Sequence, residues 1–77
     1  MIYFELSSKK KLAMELLDES RNLYVKTMYS QSLESCLKAQ SLFREIGDEK
    51  QELITIGNCG ATYDSLKNFK KALQVDT

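Results

Sequence analysis

Seventy-seven residues make one small domain or a piece of a larger one, because domains ordinarily run to roughly 100–200 residues and short chains bury a smaller share of their surface. Eleven Lys and Arg balance eleven Asp and Glu, which argues against a dedicated nucleic-acid binder, and 43% apolar with 29% charged residues is the composition of a folded chain rather than a disordered one. The absence of Pro and the presence of only three Gly favour helices over a turn-rich β fold, and the absence of His removes the commonest general base and zinc ligand, which argues against most enzymes.

The chain starts Met1-Ile-Tyr-Phe-Glu-Leu6, an apolar stretch interrupted by Glu5 and followed, not preceded, by basic residues, so it does not read as a signal peptide. No run approaches the ~18 apolar residues of a membrane span, and the cytoplasm is the expected compartment. Residues 12–27 carry Leu12, Ala13, Leu16, Leu17, Ser20, Leu23 and Tyr24 at the spacing of an amphipathic helix, and residues 29–46 repeat it with Leu33, Cys36, Leu37, Ala39, Phe43 and Ile46. Gly47 is a helix stop, and Asp48 with Gln51 three residues on forms a capping box that restarts the chain as a third helix. That helix is expected from Glu49 to about Leu66, with Leu53, Ile56, Gly60 and Tyr63 inward. Lys67-Asn68 reads as a further turn, and a fourth helix begins at Phe69. Short turns between such helices make antiparallel hairpins.

The unit recurs. Displaced by 40 positions, Tyr3 meets Phe43, Leu6 meets Ile46, Met14 meets Ile54, Leu16 meets Ile56, Ser20 meets Gly60, Tyr29 meets Phe69 and Leu33 meets Leu73. Two helices per period of this length is an α-solenoid pattern. The phase places residues 1–7 as the tail of an upstream helix, 8–47 as a first repeat and 48–77 as an incomplete second one. The expected fold is therefore all-α, antiparallel hairpins stacked as a solenoid of about two repeats with truncated ends, a segment or relic of a longer array.

At Ile56-Gly-Asn-Cys-Gly60-Ala-Thr-Tyr63, followed by Phe69, Ala72 and Leu73, the sequence resembles a tetratricopeptide repeat, and Leu42-Phe-Arg-Glu-Ile-Gly-Asp48 resembles the helix end of its longer subtype. Ile56, Gly60, Tyr63, Phe69 and Ala72 fill the family's places. The first copy departs from the pattern, with Ser20 for Gly, Leu23 for Tyr and Ser32 for Ala, and Thr27 and Lys67 stand where the turn within the hairpin usually has Gly. The resemblance implies a right-handed superhelical scaffold that binds a partner protein, peptide or helix in a groove lined by the first helix of each hairpin. On that side lie Leu17, Arg21, Tyr24 and Val25 of the first helix, and Gly57, Asn58, Ala61, Asp64 and Ser65 of the third. Arg21 can fork onto a carboxylate and Asn58 can bond a peptide backbone. The family's Lys/Asn clamp for C-terminal carboxylates is not reproduced.

No constellation for chemistry forms. Eight serines and two cysteines lack a His to activate them, and adjacent Asp18 and Glu19 point about 100° apart on a helix. Cys36 and Cys59, 23 residues apart, read as buried thiols and not as a metal site. Lys9-Lys10-Lys11 reads as a solvated inter-helix corner, and Tyr3, Phe43, Tyr63 and Phe69 as core. The expected function is protein–protein interaction without a cofactor, a metal, nucleic acid or a membrane. A peptide-sensing regulatory segment of a larger signalling protein, or a homo-oligomer formed through bare helix faces, stand beside it.

Overall fold

The computed structural model describes residues 2–75, with side chains over 6–74. The chain folds as three helices, α1 (Ile2–Val25), α2 (Tyr29–Glu45) and α3 (Glu49–Val75), with no strand among the described residues. Paired positions fix the directions. Ser20 meets Ser32 and Lys9 meets Glu45, so α1 and α2 are antiparallel, and Cys36 meets Cys59 while Arg44 meets Glu52, so α2 and α3 are antiparallel as well. The helices α1 and α3 therefore run parallel. They touch where the Tyr24 hydroxyl and Ser65 Oγ lie 2.7 Å apart.

Both connections are Schellman turns. At the end of α1 the Thr27 amide donates to the Tyr24 carbonyl and the Met28 amide to that of Leu23, each at 2.9 Å. At the end of α2 the Gly47 amide donates to Arg44 at 3.1 Å and the Asp48 amide to Phe43 at 2.9 Å. The left-handed residue this geometry requires is Gly47 (φ 76°) in one turn and Thr27 (φ 61°) in the other, so a β-branched residue occupies the place of a glycine. Asp48 also caps α3, its Oδ1 accepting from the Gln51 amide at 3.2 Å. The Asp48 amide is already used by Phe43, so the return arm of a capping box has no role here.

Two boundaries differ from the sequence reading. The helix expected from residue 12 begins at Ile2 and runs without a turn through the lysine run. The turn expected at Lys67-Asn68 does not form, and α3 continues unbroken to Val75 in place of a separate fourth helix. Neither segment contains Pro or Gly, and a single Asn lowers helix propensity by only about 0.7 kcal/mol, too little to break a helix already under way. Met1, Asp76 and Thr77 lie outside the described residues, as do the side chains of Ile2, Tyr3, Phe4, Glu5 and Val75.

The core is narrow. Ala13 and Leu17 of α1, Cys36, Ala39 and Phe43 of α2, and Cys59 of α3 are buried, with Met14, Leu16, Leu33, Leu42 and Ile46 packed around them. Polar groups share the interior and are mostly bonded. Ser20 Oγ donates to the Ser32 carbonyl at 2.8 Å and Ser32 Oγ to the Ser20 carbonyl at 2.7 Å, a reciprocal clasp between α1 and α2. The buried Thr55 and Thr62 hydroxyls each donate to the carbonyl one turn back, Gln51 and Asn58, at 2.7 Å. Cys36 donates to the Thr55 carbonyl at 3.5 Å, and the Cys59 thiol lies against it. Lys9 pairs with Glu45, and Lys10 with Asp48 at 3.4 Å, so the lysine run ties the start of α1 to the second turn.

The packed face of α3 is a correction to the sequence reading. Thr55, Cys59 and Thr62 face α2, while Leu53 is 68% exposed, Tyr63 58%, and Ile56, Gly60 and Phe69 are exposed too. Threonine explains the inversion: once its hydroxyl bonds its own helix, it presents a methyl group to the neighbouring helix. Phe43 is core as expected. Tyr63 and Phe69 are not, although Phe69 packs edge-on to Tyr29 at 5.9 Å between ring centres.

Candidate functional site: a cleft between α1 and α3

Because α2 separates most of α1 from α3, the two parallel helices leave a cleft between them near the end of α1. Arg21, Tyr24 and Val25 project from the last turns of α1, spaced by three and four residues so that they share a face. Asn58, Ala61 and Thr62 project from α3 on the same spacing, and Ser20 lies at the floor. Together they line a cavity of about 320 Å³. The Tyr24–Ser65 hydrogen bond bounds it on one side, and the Tyr24 ring is held edge-on by Tyr29 at 5.2 Å, which in turn meets Phe69. A ladder of three rings thus fixes one wall of the cleft.

The chemistry of the lining is mixed. Val25 and Ala61 offer apolar surface. The Arg21 guanidinium is exposed and sits 3.7 Å from Asp18 on its own helix, a loose surface pair that leaves most of its donors to solvent. Asn58 carries the feature that sets the cleft apart. Its Nδ2 is buried without a hydrogen-bond partner, alone in this respect among the described side-chain nitrogens and oxygens. An unpaired buried donor costs about 1–3 kcal/mol. Among the described side chains it marks the place where a buried polar partner is wanted and not supplied.

Of the groove residues expected from the sequence, Arg21, Tyr24, Val25, Asn58 and Ala61 line this single cavity, and Ser65 borders it through Tyr24. Leu17 does not. It is 1% exposed, inside the α1–α2 core between Ala13 and Ser20, so that expectation is corrected. Asp64 and Gly57 are exposed and contribute nothing to the lining. Asp64 follows Ala61 by three residues, a rotation of about 60° that carries it toward the outer face of α3. The sequence reading missed Thr62, whose back-bonded hydroxyl makes it an inner residue. It also missed a second concavity of about 290 Å³ at the first turn, lined by Thr27, Met28, Tyr29, Leu66 and Phe69 among others. The Tyr29–Phe69 match across the repeat was its only signal.

Among the described residues no three His, Cys, Asp or Glu side chains gather to hold a metal ion, and no helix is long and apolar enough to cross a membrane. Cys36 and Cys59 are free and buried. The Cys59 thiol is pushed up to about 12, first by burial and then by its hydrogen bond to Cys36, which keeps it protonated and a poor nucleophile at neutral pH. Comparison with protein-family models, with curated proteins and with solved structures finds no match.

Proposed function

We propose that the chain is a protein-interaction module of tetratricopeptide type that holds an extended peptide in the cleft between α1 and α3. The observation that carries this reading is the buried, unpartnered Asn58 amide in a cleft that also presents an exposed guanidinium and apolar wall residues. A peptide carbonyl would accept from Asn58 Nδ2 once the side chain turns outward from its buried position in the free protein. A carboxylate on the peptide would take the Arg21 fork, and an apolar side chain would lie on Val25 and Ala61. The parallel placement of α1 and α3, which touch through Tyr24 and Ser65, supports the repeat reading, because the offset of 40 found in the sequence relates these two helices. The Schellman turns and the aromatic ladder hold the cleft in shape before a ligand arrives, which reduces the ordering cost of binding. The role is binding, not catalysis, and places the module in a scaffold or in the sensing part of a larger signalling protein.

Display of random peptides on the immobilised chain, followed by affinity measurement on the selected sequences, tests the reading. Selected peptides are expected to carry an acidic side chain, and to lose about tenfold in affinity or more toward Arg21→Glu and Asn58→Ala. Equal affinity for all three proteins would place binding elsewhere.

A further inference from the structure

The face of α3 turned away from α2 carries a stripe that nothing among the described residues covers. Glu49, Leu53, Ile56, Gly60, Tyr63 and Lys67 recur at alternating spacings of four and three residues, the seam of a coiled coil. All six are exposed. The equivalent positions of α1 are not left bare: Ala13 and Ser20 are buried, and Leu16 and Leu23 half-buried, in the hairpin that α1 makes with α2. An apolar stripe is thus present in both helices, and among the described residues no helix covers that of α3 as α2 covers that of α1. Gly60 adds a second indication. A Cβ built there meets nothing within 4 Å, so no contact among the described residues requires a glycine, although one in a helix interior costs about 1 kcal/mol against Ala. An approaching helix would use that gap.

The charges name the occupant. The stripe has an acidic residue, Glu49, at its start and a basic one, Lys67, at its end, and neither has an ion pair among those found in the described residues. Laid antiparallel on itself about the midpoint of Ile56 and Gly60, the stripe sets Leu53 against Tyr63, Ile56 against Gly60, and Glu49 against Lys67, each pair occurring twice by symmetry. No other register matches large to small and acid to base at once. We infer that a second copy of this chain docks on α3, forming a two-fold antiparallel α3–α3 dimer with Gly60 seating the partner's Ile56. The peptide cleft lies on the opposite side of α3, so the dimer would present two clefts and this inference does not depend on the function proposed above.

Sedimentation equilibrium over about 10–500 μM decides it, with far-UV circular dichroism confirming that each variant is helical. The wild type is expected to dimerise. Glu49→Lys and Lys67→Glu each place like charges opposite one another twice and are expected to raise Kd about tenfold or more, and the double variant Glu49→Lys/Lys67→Glu to restore it. Gly60→Leu, whose Cβ would meet nothing within 4 Å in the monomer, is expected to remain helical and become monomeric. A wild type that stays monomeric throughout the range would overturn the proposal and assign the stripe to a different helix or partner. So would a dimer indifferent to the charge reversals or to Gly60→Leu.

Discussion

Replacing Asn58 by Ala is expected to make the protein more stable and less able to bind. The wild-type side chain keeps Nδ2 buried and unpaired in the free protein, at a cost of about 1–3 kcal/mol, and Asn is about 0.5–0.7 kcal/mol worse than Ala inside a helix. The Cβ survives the substitution, so little apolar burial is lost to offset these gains. The net effect is a rise of about 1.5–3.5 kcal/mol in unfolding free energy, which in a chain of this size raises Tm by roughly 4–8 °C per kcal/mol. Urea and thermal melts followed at 222 nm measure it. The same variant is expected to bind selected peptides about tenfold more weakly, because the donor that wants a partner has been removed. Destabilisation by more than about 0.5 kcal/mol would refute the reasoning, because the amide would then be supporting the fold. A side chain that costs stability in the free state and adds affinity in the bound state is the signature of a binding position.

Three further outcomes follow from the same geometry. Thr27→Gly relieves a β-branched residue at φ 61° and is expected to stabilise the α1–α2 turn by about 0.5–1 kcal/mol in urea melts; a loss would mean that the Thr27 hydroxyl's bond to the Lys26 carbonyl outweighs the strain. Ser20→Ala and Ser32→Ala each remove one donor and leave no buried donor unpaired, so each is expected to cost about 1 kcal/mol, and the double variant the sum within about 0.5 kcal/mol. A coupling well above that would show that the clasp is a single hydroxyl–hydroxyl bond. Because the folded Cys59 thiol is raised from 9.0 to about 12, its contribution to stability is fully present below pH 9 and is lost as pH rises from there toward 12. The urea midpoint is expected to fall more steeply above pH 9 in the wild type than in Cys59→Ala, and parallel falls would remove the thiol as a cause.

The sequence shows some parts of this molecule plainly because their physics is local. Gly47 and Asp48 announce a stop and a cap, and the structure uses both, with Gly47 left-handed and Asp48 on the Gln51 amide. Ala39 and Phe43 announce the inner face of α2 by their spacing. Arg21, Tyr24, Val25, Asn58 and Ala61 were legible as one surface because the family resemblance implies a groove along the first helix of each hairpin and helical periodicity puts them on that side. The orientation of α3 was not legible. Apolarity ranks Leu53 and Ile56 above Thr55 and Thr62, but the threonines satisfy their hydroxyls within the helix and go inside. The end of α3 was hidden for a related reason. Whether Asn68 caps a new helix or continues an old one depends on what packs there, and no Gly or Pro forces a break. Leu17 was placed in the cleft because it lies four residues before Arg21, a spacing too coarse to separate the core edge from the groove edge of one helix.

The most direct test of the cleft as a ligand site is the amide spectrum of isotope-labelled protein during titration with a peptide selected by display. Amides of Arg21, Tyr24, Val25, Asn58 and Ala61 are expected to shift together and to saturate at the measured affinity, the Asn58 side-chain amide protons are expected to move downfield, and the same titration of Arg21→Glu is expected to leave the spectrum nearly unchanged. Saturating shifts confined to other surfaces, with the Asn58 side-chain signals unmoved, would contradict it.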